Sequence, residues 1–93
     1  MNDDDVILLD VRESNEHGSG HIRDSIHIPM SALSKRITEL EKHKNKKILA
    51  YCRSGSRSNH ACRVLSKQGF ENVSNLAGGI ISWSSANLPL TKK

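Results

Sequence analysis

Tyr51-Cys52-Arg53-Ser54-Gly55-Ser56-Arg57-Ser58 is the stretch on which the reading of this chain turns. An apolar run, Lys47-Ile48-Leu49-Ala50-Tyr51, leads into it, and a helix-like run over residues 59–67 leads out. Between them a cysteine is followed by small residues and two arginines. A strand–turn–helix crossing leaves several backbone N–H groups without helical partners, and these converge into a nest that favours negative charge. If Cys52 opens that loop, the helix dipole, Arg53 and Arg57 all favour its thiolate over its thiol. Cys52 is therefore the candidate nucleophile.

Outward from this loop the chain alternates strands and helices. Val6-Ile7-Leu8-Leu9 is a continuous apolar run, as expected of a parallel strand buried on both faces. It runs into Asp10-Val11-Arg12-Glu13, where Asp10 and Arg12 read as a structural ion pair in preference to a reactive rim. Residues 14–20 read as a loop or a single helical turn, and residues 25–28 as a short strand ended by Pro29. Ser31 is placed to cap a helix whose stripe is Leu33, Ile37 and Leu40. Residues 46–51 form the central strand. Ala61, Val64 and Leu65 make the buried stripe of the helix after the loop, with Gly69 as its C-cap and Phe70 folding back on its end. Residues 73–76 are another strand, Gly78-Gly79 permits close backbone approach, and Ile80, Ile81 and Trp83 open a last short helix. Pro89 closes the ordered part. The class is α/β, a small, mostly parallel sheet with helices on both faces.

The length of 93 residues fits one domain, spanning 1–93 with an ordered core of about 5–90. The abrupt start, Met1-Asn2 and three aspartates before a strand at Val6, suggests a minimal domain or one cut from a longer chain. A formal charge of +4 is mild, and the run Lys42, Lys44, Lys46, Lys47 lacks interleaved aromatics. It reads as a solvated face, not as a nucleic-acid surface, while the basic balance suits small anionic substrates. Two cysteines, Cys52 and Cys62, make neither a disulfide framework nor a Cys-x-x-Cys motif, so a reduced cytoplasmic setting is expected. A monomer is the expectation for so small a domain, with the oligomeric state left open by the sequence. No run reaches membrane-spanning length.

His17, His21, His27, His43 and His60 show no ligand spacing, and surface or core-capping roles are favoured over metal binding. His60, one turn into the helix, faces either solvent or Cys52. Cys62, mid-helix among apolar neighbours, reads as a small buried core residue and not as a resolving thiol. No dinucleotide or P-loop motif is present, and Gly78-Gly79 alone is weak evidence for phosphate binding.

Four separate pieces, in order, resemble the single-domain rhodaneses, a sulfurtransferase family. They are Asp10-Val11-Arg12-Glu13; Gly20-His21-Ile22 through Ile28-Pro29; Cys52-Arg53-Ser54-Gly55-Ser56-Arg57; and Leu76-Ala77-Gly78-Gly79 with Trp83 and Pro89. The resemblance implies that Cys52 takes the outer sulfur of a small anionic donor such as thiosulfate, becoming a persulfide. It then passes that sulfur to cyanide or a protein thiol, a thioredoxin-like protein among the candidates. It also implies that Arg53, Ser54, Gly55, Ser56 and Arg57 hold the substrate, with no metal or organic cofactor. Two positions depart from the family pattern. Asp24-Ser25 stands where Gly-Ala is usual, and Asp tolerates the left-handed turn expected there. His17 stands where an aromatic is common.

Related phosphatases and arsenate reductases carry Cys-x5-Arg, a loop that encloses a tetrahedral oxyanion. Arg57 follows Cys52 after four residues, and the shorter loop fits a single sulfur better. A non-catalytic binding module is the other alternative, and the intact cysteine with both arginines argues against it.

Overall fold

The computed structural model describes residues 6–76 and 78–85, so Ala77 and Pro89 of the fourth motif, and Pro89 as the end of the ordered part, lie outside the described residues. Its centre is strand β1 (Val6–Asp10), flanked by β2 (Ile26–His27) and β3 (Lys47–Tyr51), with β4 (Val73–Asn75) beyond β3. The order is β2-β1-β3-β4, and every pairing is parallel. Helices α1 (Ser14–Ser19), α2 (Leu33–Arg36), α3 (Ser56–Lys67) and α4 (Gly79–Ser85) occupy the connections and the C-terminal end. This is the α/β parallel sheet that the apolar runs predict.

Alternation along the strands divides the interior in two. Ile7 and Leu9 of β1 and Ile48 and Ala50 of β3 pack with Leu33, Leu40, Ala61, Leu65 and Phe70. Leu8 and Tyr51 turn the other way and pack with Ile22, Leu76, Ile80 and Trp83. Successive side chains of a strand point to opposite faces, so both faces of the sheet are covered, as its continuous apolar runs require. Helix α3 is capped by Gln68, one residue before the expected Gly69, which follows it at a φ of +93°. The N–H groups of Gly69 and Phe70 return to the carbonyls of Ser66 and Leu65 at 3.2 and 3.1 Å. Cys62 differs from the expectation: it is half-buried at the edge of the first cluster.

The segment after Pro29 also differs. A 3-10 turn over Met30–Ala32, the single α-turn of α2 and a 3-10 stretch over Ile37–His43 replace one regular helix. Leu33 and Leu40 are buried as the stripe predicts. Ser31 is not a cap; its hydroxyl donates to the Glu13 carboxylate at 3.2 Å. Without that cap, and with a lysine-rich stretch following, tertiary burial of two leucines sets the path more than helix propensity does. Helix α3, conversely, begins at Ser56, earlier than the apolar stripe indicates. No helix among the described residues is long and apolar enough to cross a membrane.

The register brings particular residues to the C-terminal edge of the sheet, where open parallel sheets place their sites. Asp10 lies opposite His27 on one side and Tyr51 on the other, and Asn75 lies opposite Ala50.

Candidate active site

Strand β3 delivers Cys52 at this edge. Gly55 sits in the left-handed region with φ of +109° and turns the chain into α3. The curl folds the loop back over the sulfur: the Gly55 N–H donates to Cys52 Sγ at 3.0 Å, and the Ser58 hydroxyl lies 3.5 Å from it. Burial alone pushes the thiol pKa up. The Ser58 hydroxyl and the N–H groups of Ser58, Gly55 and Ser54 outweigh it, so the thiol titrates below its ordinary value. Cys52 is 1% exposed, whereas Arg53 and Ser54 form an exposed rim.

Ser58 is buried and is itself held by Asn75 of β4. Asn75 Nδ2 donates to the Gly55 carbonyl at 3.1 Å, which orients its Oδ1 toward the Ser58 hydroxyl. That hydroxyl also lies 3.2 Å from the Gly55 carbonyl. A hydroxyl has one proton. Ser58 therefore chooses among Asn75, Gly55 and the sulfur, and a thiolate is the strongest acceptor of the three. The sequence reading names neither Ser58 nor Asn75 as a site residue, since their partnership crosses from α3 to β4.

The other side of the loop is stapled by backbone. Ile80 N–H donates to the Cys52 carbonyl at 2.8 Å, and Ile81 N–H to the Arg53 carbonyl at 3.2 Å. Gly79 makes this approach possible. Its φ is +59°, and a Cβ there would stand 2.5 Å from both carbonyl oxygens. The Gly78-Gly79 pair thus supports the cysteine loop.

Behind the loop lies a polar knot. Asp10 accepts from Arg12 Nε at 3.1 Å and Nη2 at 2.9 Å, from the Arg12 N–H at 2.9 Å, and from Tyr51 at 3.1 Å. Burial favours its protonation, yet the bonds from Arg12 and His17 hold the carboxyl below its ordinary value. Arg12 also donates to the Gly20 carbonyl at 2.7 Å. Asp10 and Arg12 are both buried and form an ion pair at 2.9 Å. His17 Nδ1 reaches Asp10 at 2.8 Å, and its ring stacks on those of His21 and His27, with centroids 3.7 and 4.3 Å away. The imidazole of His17 fills an aromatic position by stacking, which spacing along the chain does not reveal. Asp24 takes φ of +64°, the left-handed turn expected of it. His60 is exposed.

The two loop arginines differ. Arg57 is clamped by Glu16 of α1 in a two-pronged ion pair at 2.8 and 2.9 Å. That bond holds the Glu16 carboxyl at about 2. Arg53 has no ion-pair or hydrogen-bond partner for its guanidinium among the described residues and lines a cleft of about 380 Å³ with Arg12, Asn15, Glu16, Ile80 and Ile81. Glu16 is a further residue that the sequence reading does not single out.

The family model for rhodanese-like domains matches residues 1–86. The chain belongs to the rhodanese-like family. It is 41% identical over 87 residues to a sulfurtransferase of Allochromatium vinosum, covering 94% of this chain and 79% of that protein. It is 40% identical to the putative sulfur carrier protein YrkF of Bacillus subtilis over 88% of this chain, which spans only 43% of that protein. A rhodanese-related protein from Thermoplasma volcanium superposes with a TM-score of 0.88 at 37% identity, over 97% of this chain and 87% of that one. In this rhodanese-like chain the matching motifs meet in space. The Asp10-Arg12 piece braces the sheet edge, and the Gly78-Gly79 piece secures the loop that follows β3.

Proposed function

We propose that this rhodanese-like protein is a sulfurtransferase in which Cys52 carries the sulfur. The Cys52 thiolate attacks the outer sulfur of a donor such as thiosulfate. A bond forms between the two sulfurs, the donor's own sulfur–sulfur bond breaks, and its electron pair leaves on sulfite. An acceptor thiolate or cyanide then attacks the outer sulfur of the persulfide, and Cys52 departs as thiolate. The observation that carries this reading is the sulfur's position at the end of β3, receiving the Gly55 N–H at 3.0 Å with the Ser58 hydroxyl beside it. Such donors favour an anionic sulfur, both on the thiolate and on the persulfide that replaces it. Ser54, Gly55 and Ser56 contribute backbone and little bulk, and Arg53 supplies free positive charge for the donor, while the charge of Arg57 is met by Glu16.

The test is intact mass after brief exposure to thiosulfate, and again after cyanide. Wild type and Cys62→Ser gain one sulfur atom and lose it to cyanide, and Cys52→Ser gains none. Equal loss of loading in both cysteine variants sinks the assignment. So does a folded, reduced protein that gains no sulfur from any donor, an outcome that would favour a module presenting its surface to a partner.

A further inference from the structure

The charge around the cleft is more nearly balanced than the sequence suggests. Three arginines converge on the loop, yet two already hold a carboxylate: Arg12 holds Asp10, and Arg57 holds Glu16. Arg53 alone is uncompensated among the described residues. Glu16 lines the cleft and holds Arg57 away from it, so an incoming donor meets one free cation beside an ion pair whose charges cancel, and only loss of the Glu16 charge would free the second cation. Beside them stand the amide of Asn15 and the apolar side chains of Ile80 and Ile81, the latter 46% exposed. Reaction with thiosulfate gathers three negative charges here, one on Cys52 and two on the donor. A lining of this kind compensates that poorly.

We infer that Glu16 is a specificity-determining residue that disfavours dianionic donors and selects an organic persulfide on an amino-acid carrier. The inference rests on the sulfur-transfer reading and names its donor class. Such a donor brings a carboxylate for Arg53, an ammonium for Glu16 and Asn15, and a short aliphatic stem for Ile80 and Ile81. The step balances without an oxidant. The Cys52 thiolate attacks the outer sulfur of R–S–SH, the inner sulfur leaves as R–S⁻ with the electron pair, and the proton stays on the transferred sulfur. One negative charge is present before and after.

Glu16→Gln tests this, because glutamine keeps an oxygen for the Glu13 N–H, which Glu16 Oε1 now accepts at 3.1 Å. Glu16→Asp keeps the charge and changes the shape. In a Cys62→Ser background, Cys52 is alkylated with anionic iodoacetate and with neutral iodoacetamide at low salt, a readout of site charge that needs no sulfur transfer. Glu16→Gln raises the iodoacetate-to-iodoacetamide rate ratio about fivefold, the order expected for one unscreened charge near a protein surface, and Glu16→Asp leaves it near wild type. Glu16→Gln also raises kcat/KM for thiosulfate about tenfold and lowers it several-fold for cysteine persulfide, reversing the donor preference. An unmoved alkylation ratio, a parallel fall with both donors, or Glu16→Asp matching Glu16→Gln overturns the inference. A raised ratio with no sulfur loaded from either donor overturns the sulfur-transfer reading instead, and the donor class with it.

Discussion

The backbone N–H of Ile80 donates to the carbonyl of Cys52 at 2.8 Å, joining the first turn of α4 to the residue that carries the thiol. The contact exists because Gly79 presents no side chain. Gly79→Ala would set a methyl group 2.5 Å from the Cys52 and Arg53 oxygens at a φ of +59°. Strain and overlap together cost about 3 kcal/mol. In a domain of this size that is a fall in Tm of roughly 15 °C, read by thermal melting. A Gly79→Ala protein that melts with wild type would refute this account of the staple.

Ser58→Ala removes the hydroxyl donor beside Cys52 Sγ and leaves the backbone donors in place. The folded thiol titrates below its ordinary value partly through that hydroxyl, so its loss moves the pKa upward. A hydrogen bond to a charged sulfur is worth about 1.5–3 kcal/mol, so the shift is of order one pH unit. The rate of Cys52 alkylation against pH, in a Cys62→Ser background, reports it directly. Ser58→Thr restores the wild-type midpoint if the hydroxyl is the cause. An unmoved midpoint in Ser58→Ala would assign the thiolate to the backbone nest alone.

Stability falls toward acid in an upper window where His17 and His43 take up protons and a lower one where Asp10 and Glu16 do. Burial lowers the His17 pKa from its ordinary 6.5, the bond to Asp10 opposes this, and charge on His21 and His27 reinforces it. Below 6.5 the unfolded chain therefore binds a proton at His17 more readily than the folded one, and stability declines as pH falls through the folded pKa. Asp10 is also depressed in the folded state, despite its burial, by Arg12 and His17. Its contribution is present above 3.8 and is lost as pH falls through the folded value. His17→Phe keeps a flat ring against His21 and His27 and removes the His17 share of the upper window. Its Tm should fall less than that of wild type between about pH 7 and pH 5, the remaining decline coming from His43, whose pKa burial, Lys46 and Lys42 also lower, and both should fall further below about pH 4. A His17→Phe profile that declines between about pH 7 and pH 5 as steeply as wild type would place the whole upper-window loss on His43 or elsewhere.

The unbroken apolar runs of β1 and β3 and the Ala61/Leu65 stripe of α3 made the sheet and its central loop legible. Each is a local pattern set by burial on a strand face or one helix face. The cysteine's place at the strand-to-helix crossing followed from the same patterns. The supports of the site were not legible because each joins segments distant in sequence. Ser58 meets Asn75 across α3 and β4, and Glu16 meets Arg57 across α1 and α3. The histidine stack draws on α1, the stretch after it and β2. No periodicity encodes such meetings. The segment over residues 30–43 failed for a different reason. Its buried leucines sit at helical spacing, but nothing local caps or sustains a regular helix around them.

The two loop arginines should separate under mutation. Arg53 is exposed and unpaired among the described residues, so Arg53→Ala removes positive charge from the cleft and changes stability by no more than about 0.5 kcal/mol. Its KM for thiosulfate rises about tenfold while the melting curve stays in place. Arg57→Ala removes a cation too, but it also strands the Glu16 carboxylate, whose pKa is held at about 2 by that partner. Thiosulfate use therefore falls further than the loss of a donor contact explains. The double variant Glu16→Gln/Arg57→Ala recovers most of it, because the stranded charge is gone. Initial-rate kinetics on the two single variants and the double variant give the coupling between residues 16 and 57. If Arg53→Ala keeps its KM and the double variant recovers nothing, Arg57 is the donor's cation and its bond to Glu16 must open on binding.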